Sequence, residues 1–258
     1  MVMMRALRYH ALWLSLAACG RIGFDGAARD DAAGDVSMVD AAITYPQAVM
    51  ADHPVAYWRL GETSGTIALD SSGNGLNGTY VGSVSLGAVG AIVGDQDTAI
   101  ALNGAGFVRI PNAGPLDNIS IVTVEAWARG ASTNATQLFS AAGGGGYQVV
   151  WNAGVAGAYA MNTYVNAKTK ITDALWHQIV VAWDGAAATV YLDGVASNTG
   201  PNAILPNSLE NQIGTQCSGA GSTMCSLYLA GSVDEVSVYD QALPAARVQA
   251  HYVAATAM

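Results

Sequence analysis

The chain has 258 residues, 52% of them hydrophobic, with 30 glycines and a formal charge of −9 at pH 7. Lys168 and Lys170 are the only lysines and no basic patch occurs, which argues against nucleic acid as a partner. No run of the ~18 apolar residues that a membrane-crossing helix needs follows the N-terminus, and the length suits a single all-β domain.

Residues 1–18 read as a leader to be kept out of the fold. Arg5 and Arg8 precede the short apolar stretch Tyr9–Leu16, and Leu16-Ala17-Ala18-Cys19 follows. This order of charge, apolar stretch, small residues and Cys resembles the signal peptide and lipobox of bacterial lipoproteins. The resemblance implies cleavage before Cys19 and acylation of its thiol and new amino group. Gly20 stands where enteric-type lipoproteins carry Asp for inner-membrane retention, which implies sorting to the outer membrane. Residues 19–44 hold Asp25, Asp30, Asp31, Asp35 and Asp40 and few large apolar side chains. Such a segment buries too little surface to offset its ordering entropy, so a disordered linker is expected, extended by its own charge.

From residue 45 to 256 short strands alternate with Gly, Asn and Asp turns, the pattern of a sandwich or barrel. Ala56–Glu62 reads AYWRLGE, and Asp70–Gly78 reads DSSGNGLNG. Thr123–Trp127 reads TVEAW, and Trp176–Gly194 reads WHQIVVAWDGAAATVYLDG. In the latter, His177, Ile179, Val181 and Trp183 alternate with Gln178, Val180 and Ala182, as a two-faced strand requires. Asp184-Gly185 turns the chain, Ala188–Leu192 returns, and Asp193-Gly194 ends the strand. Gly231–Tyr239 reads GSVDEVSVY, and Leu243–Ala255 has the alanine content of a short helix with Pro244 at its start. In this order the five strand and loop motifs resemble LamG-like jellyroll domains of the concanavalin A-like lectin/glucanase group, over about residues 45–254. The resemblance implies an all-β fold, an antiparallel two-sheet jellyroll sandwich with a short C-terminal helix.

These residues offer candidates for metal binding, catalysis, ligand binding and a disulfide. Asp70, Ser72 and Asn74 place oxygens at alternate positions before Gly75, as in the first half of a calcium loop. Asp234, expected on one face with Val236 and Val238, is the candidate fourth ligand, and the resemblance places a structural ion between this loop and the closing strand. The alternative is that Asp70 and Asn74 make Asx turns and Asp234 accepts backbone N–H bonds. Catalysis has little support. No E-x-D-x-E strand occurs, and retaining glycosidases need two carboxyls about 5–5.5 Å apart. Asp234 and Glu235 are adjacent and so expected on opposite faces, and His177 reads as a core histidine.

For ligand binding, the run Gly143–Gly146 leads into a strand with Tyr147, Trp151 and Asn152, followed by Tyr159 and Tyr164. Aromatic faces with nearby amides suit sugar rings, although each residue taken singly fits a core or strand edge as well. With Cys19 lipidated, Cys217 and Cys225 remain, and export to an oxidising compartment permits a disulfide between them. The leading expectation is therefore a lipid-anchored, non-catalytic module that binds glycan at the cell envelope. A protein-binding or adhesive domain for a surface protein is the rival, and a glycoside hydrolase ranks below both.

Overall fold

The hairpin forms as its alternation requires. His177–Trp183 and Ala187–Leu192 pair antiparallel with Val181 opposite Val190. Asp184 Oδ1 accepts the N–H groups of Ala186 and Ala187 at 2.9 and 2.8 Å. Asp193 and Gly194 both take positive φ, 50° and 77°, the twist that a tight hairpin turn needs. The computed structural model describes residues 43–111, 114–116, 118–130, 135–141, 146–205, 210–219 and 221–257. The leader, Cys19, nearly all of the linker and Gly143–Gly145 lie outside the described residues.

One layer runs Val195–Pro201, Ala187–Leu192, His177–Trp183, Val122–Arg129, Ala230–Tyr239 in hydrogen-bonded order. Ala56–Trp58 adds to the far side of Ala230–Tyr239. The long strand Thr98–Ile110 joins the layers. Its residues 100–103 pair with Ala230–Val233, and its residues 108–110 pair with Asn211–Ile213. The second layer continues from there through Ala135–Ala141, Gln148–Asn152, Val155–Ala160 and Thr163–Asn166. All pairings are antiparallel, which is the expected jellyroll sandwich.

Alternate residues of both layers meet inside. Val124, Ala126, Ile179, Val181, Trp183, Val236 and Val238 from the first face Phe139, Val149, Trp151, Ala158 and Val165 from the second. Each such aliphatic or aromatic side chain contributes about 1.5–3 kcal/mol by leaving water. The opposite face of the first layer is covered by two helices, α1 (Tyr45–Ala51) and α2 (Ala245–Thr256). Tyr45 and Val49 of α1 and Val248 and Ala255 of α2 pack on Tyr57, Trp127, Val180, Tyr191 and Tyr239.

The helix α2 matches the expected C-terminal helix, with Pro244 as its N-cap residue. No helix is expected at residues 45–51, yet α1 forms. Its signals are Pro46 in the first turn and Gln47, whose Oε1 accepts the Thr44 N–H at 2.9 Å. Seven residues are too few to hold a helix in water, so docking sustains it.

The closing strand departs from simple alternation. Asp234 stands opposite Trp127 and Ser237 opposite Glu125, so three steps on one strand match two on the other. The extra residue is Glu235, at φ 52°. This bulge places Val233, Val236 and Val238 all in the inner core. Asp234 therefore does not share a face with Val236 and Val238. It lies with Trp127 on the helix-covered face, and Glu235 lies on that same face, bonded to Tyr57 and Arg59.

Candidate functional site

Strand register brings together side chains from six strands of the second layer. Arg109 pairs with Gln212, Gln212 with Ser140, Ser140 with Gln148, Gln148 with Tyr159, and Tyr159 with Tyr164. Their chain neighbours Val108, Ile213, Phe139, Val149, Ala158 and Val165 all belong to the inner core. The row therefore lies on the other face of this layer, which no described helix covers, although Ser140, Gln148 and Gln212 are themselves buried there. At ~4.8 Å per strand, five steps make it roughly 24 Å long.

The row is unusual in its hydrogen bonding. Gln137, from the next row, donates to Gln148 Oε1 at 2.9 Å, and Gln212 Nε2 donates to the Glu210 carbonyl at 3.0 Å. Yet Gln137 Oε1, Ser140 Oγ and Gln212 Oε1 are buried with no partner among the described residues. A buried polar atom left unpaired costs about 1–3 kcal/mol, and native proteins keep few of them. Three such atoms lie on this face, while Tyr147 Oη and Asp234 Oδ1 are further cases elsewhere among the described residues.

An aromatic pair ends the row. The Tyr159 and Tyr164 rings stand 4.5 Å apart, Tyr164 is half exposed, and Tyr159 Oη donates to Asn162 Oδ1 at 2.9 Å. At the other end Arg109 lies 5.4 Å over the Phe107 ring, and its Nε is 3.5 Å from Glu210 Oε2.

The expected binding residues divide by strand parity. Tyr159 and Tyr164 are on this face, and Asn152 sits half-buried at the adjoining turn. Tyr147 and Trp151 are not on it. They are 2% and 1% exposed and pack in the core, where Tyr147 lies 6.1 Å from Phe139 and 5.4 Å from Trp183. Gln148-Val149-Val150-Trp151 is too apolar on both parities for its inner face to be read. Gln137, Ser140, Gln148, Gln212 and Arg109 were not anticipated. Their signal was present in Gln137 and Gln148, polar residues within otherwise apolar strands.

The Asp70 loop is closed on itself. Asp70 Oδ1 accepts the N–H groups of Tyr57 and Ser72 at 3.0 and 2.9 Å, and Oδ2 accepts that of Leu76 at 2.9 Å. Ser72 Oγ accepts the Asn74 N–H at 3.3 Å, and Asn74 Nδ2 donates to the Val55 carbonyl at 3.0 Å. Asp234 shares none of these bonds; its Oδ2 accepts the Ala91 N–H at 2.7 Å. Among the described residues no group of three or more His, Cys, Asp or Glu is placed to hold a metal ion.

Two acids that chemistry would want lie elsewhere. Glu125 is fully buried beneath the helices, bonded to Tyr45, Gln178 and His251. Glu235 accepts two bonds from Arg59, at 3.1 and 3.0 Å. His177 is not a core residue. It lies half-buried on the wall of a cavity of about 360 Å³, with Asp193 at 2.8 Å from Nδ1 and Asp173 at 2.8 Å from Nε2. Burial alone lowers its pKa, but the bonds to Asp173 and Asp193 outweigh that and raise it. Donating to both carboxylates requires the imidazolium, since neutral imidazole has one N–H.

The model of the concanavalin A-like lectin/glucanases superfamily matches residues 102–249. The chain belongs to this superfamily. Among curated proteins none matches its sequence. Solved structures similar to this superfamily member include domain 4 of AbnA, a GH43 extracellular arabinanase from Geobacillus stearothermophilus, in complex with arabinotriose. That domain is 21% identical with a TM-score of 0.56, over 77% of this chain and 98% of the other. The binding domain of botulinum neurotoxin DC in complex with SialylT is 10% identical with a TM-score of 0.58, over 80% and 52%. The binding domain of Paraclostridial Mosquitocidal Protein 1 is 14% identical with a TM-score of 0.56, over 79% and 52%. The chain thus spans about half of each toxin binding domain. At these identities the likeness is one of fold. The predicted disulfide between Cys217 and Cys225 is formed.

Proposed function

We propose that this chain is a non-catalytic glycan-binding module, lipid-anchored at the cell envelope. One observation carries the reading. A row of amides, a hydroxyl and an arginine crosses the second layer, three buried polar atoms on that face lack partners among the described residues, and the half-buried Tyr159 and exposed Tyr164 end it. Sugar hydroxyls both donate and accept, so they suit amides, a hydroxyl and a guanidinium, and sugar C–H faces pack on tyrosine rings. Similar folds crystallised with arabinotriose and with SialylT support the same reading. The non-catalytic part rests on the carboxylates. Glu125 and Glu235 lie on the helix-covered face of the other layer, and Glu210 beside the row is engaged with Arg109.

The test is a glycan array probed with the full chain carrying Cys19→Ser, followed by calorimetry on the oligosaccharide that binds. Gln148→Ala and Tyr164→Ala should each weaken binding by up to about tenfold, the worth of one good hydrogen bond or ring contact. Trp151→Phe, a change in the core, should leave affinity within about twofold if the fold holds. A silent array together with capture of a surface protein would favour the adhesive reading. Shortened oligosaccharides appearing on incubation would overturn the non-catalytic one.

Lipidation has its own test. Wild-type protein should fractionate with membranes and Cys19→Ser with the soluble fraction; equal partition of the two sinks the anchor. For the Asp70 loop, the backbone bonds to the Asp70 carboxylate support a turn that needs no calcium. The melting curve should then be unchanged in excess chelator, and a fall in Tm would restore the ion.

A further inference from the structure

The disulfide sits beside the Arg109 end of the row. Its hairpin has a ladder of two residue pairs, Gln216 with Ser226 and Cys217 with Cys225. A two-stranded ribbon of this size does not hold its own shape in water. The base of the hairpin is closed by Thr215 Oγ1, which donates to the Ser226 carbonyl at 2.8 Å, and is tied to the sandwich by the Gln137 N–H, which donates to the Leu227 carbonyl at 3.0 Å. The tip makes two directed contacts with the end of the row. Arg109 Nη2 donates to the Ser222 carbonyl at 2.7 Å, and the Gly221 N–H donates to Glu210 Oε2 at 2.8 Å. Ser222 is itself fixed from within the hairpin. Its Oγ accepts the Met224 N–H at 3.0 Å and meets Ser218 Oγ at 3.0 Å. Between the anchored base and the tip stands the Cys217–Cys225 bond.

We propose that the Cys217–Cys225 crosslink is a positioning element of the binding face: it holds Ser222 and Gly221 where they orient Arg109 and Glu210 toward the ligand. This rests on the glycan reading for its ligand and on the hairpin contacts for its mechanism. Cys217 is buried, but neither cysteine belongs to the two hydrophobic clusters of the sandwich, so opening the crosslink leaves those clusters in place and frees the tip to move. Arg109 then loses its acceptor on the hairpin, and the Glu210 carboxylate loses its backbone donor. Binding weakens because the ligand must order these groups itself.

The test uses the full Cys19→Ser chain, its Cys217→Ser/Cys225→Ser derivative, and Arg109→Ala in each background. The probes are arabinotriose and a panel of neutral oligosaccharides. The crosslink-free protein should bind about tenfold more weakly. Arg109→Ala should weaken binding in the crosslinked protein and change little in the crosslink-free one, since the two changes act on one contact. Additive losses would overturn the proposal. A second readout needs no ligand. The Arg109 side-chain NMR signals of the free protein should shift and sharpen when the crosslink is removed. Unchanged signals overturn the positioning role whatever the binding data show. If the wild-type protein binds no probe, the glycan reading fails while the NMR comparison still decides the crosslink. Should the serine pair fail to fold, Glu210→Gln cuts the Gly221 contact with both cysteines in place, and it should shift the same Arg109 signals. No shift there counts against the proposal.

Discussion

Glu125→Ala should destabilise the protein by about 3–5 kcal/mol, the usual cost of breaking a buried ion pair from one side. Glu125 Oε1 accepts Tyr45 Oη at 2.9 Å and Gln178 Nε2 at 2.7 Å, and Oε2 lies 2.8 Å from His251 Nδ1. His251 Nε2 in turn lies 3.0 Å from the Ala48 carbonyl and 2.9 Å from Asp52 Oδ2. One carboxylate therefore fastens α1 through Tyr45 and α2 through His251. Its loss leaves Nδ1 of the fully buried His251 ring without its acceptor. In a chain of this size the change should lower Tm by roughly 10 °C. Urea unfolding checks it, and a loss below about 1 kcal/mol would refute this role for Glu125. The double variant with His251→Leu should be less damaged than Glu125→Ala alone, because no buried ring nitrogen is then left without its acceptor.

The second large effect is a loss of stability as pH rises from about 5 to about 8.5. Burial pushes Asp234 from 3.8 up to about 8, helped by the neighbouring Glu235 charge and opposed by the Ala91 N–H and Arg59. Burial also lifts Glu235 from 4.5 to about 7, although Arg59 and the Tyr57 hydroxyl pull it down. The unfolded chain releases these protons near pH 4, while the folded chain keeps them to pH 7–8. Over that interval the folded state holds more protons, so stability falls as pH rises. The stabilisation is complete below pH 4 for these two groups and gone above pH 8. The raised pKa of His177 and that of His251, where Glu125 outweighs burial, act with the same sign, losing their contribution as pH rises through the folded value. Four pKa units bound the Asp234 share at roughly 5 kcal/mol. Asp234→Asn keeps an acceptor for the Ala91 N–H and removes the titration. It should raise stability at pH 8 and flatten the pH profile. A profile level from pH 5 to 8.5 in the wild type, or a variant identical to it, would sink this account.

Much of the scaffold was readable along the chain. The Asp184 and Asp193 turns, the paired strands around Val181 and Val190, the helix after Pro244 and the Cys217–Cys225 bond are where local residue chemistry puts them. Each depends on residues close in sequence, where turn propensity and alternation act directly. The helix at Tyr45–Ala51 was harder to read because seven residues carry too little periodicity. The candidate face was legible in its aromatic end, Tyr159 and Tyr164, and in the polar Gln137 and Gln148 within apolar strands.

Period-two alternation and Gly-rich turns confine this chain to a sandwich or barrel, and the order of its motifs, by resemblance to LamG-like jellyroll domains, points to the sandwich. Which side of each strand looks inward is settled by the packing of the two layers. Trp151 and Gln148 sit on one strand of opposite parities, and the core claimed the parity of Trp151. One inserted residue at Glu235 reversed the assignment of Asp234, because a single step of register exchanges the two faces of a strand. The row from Arg109 to Tyr164 likewise exists only through hydrogen-bond register between strands as far apart in the chain as Ser140 and Gln212. Local residue chemistry sets what each strand is; which strands lie side by side is set by the folded sheet as a whole.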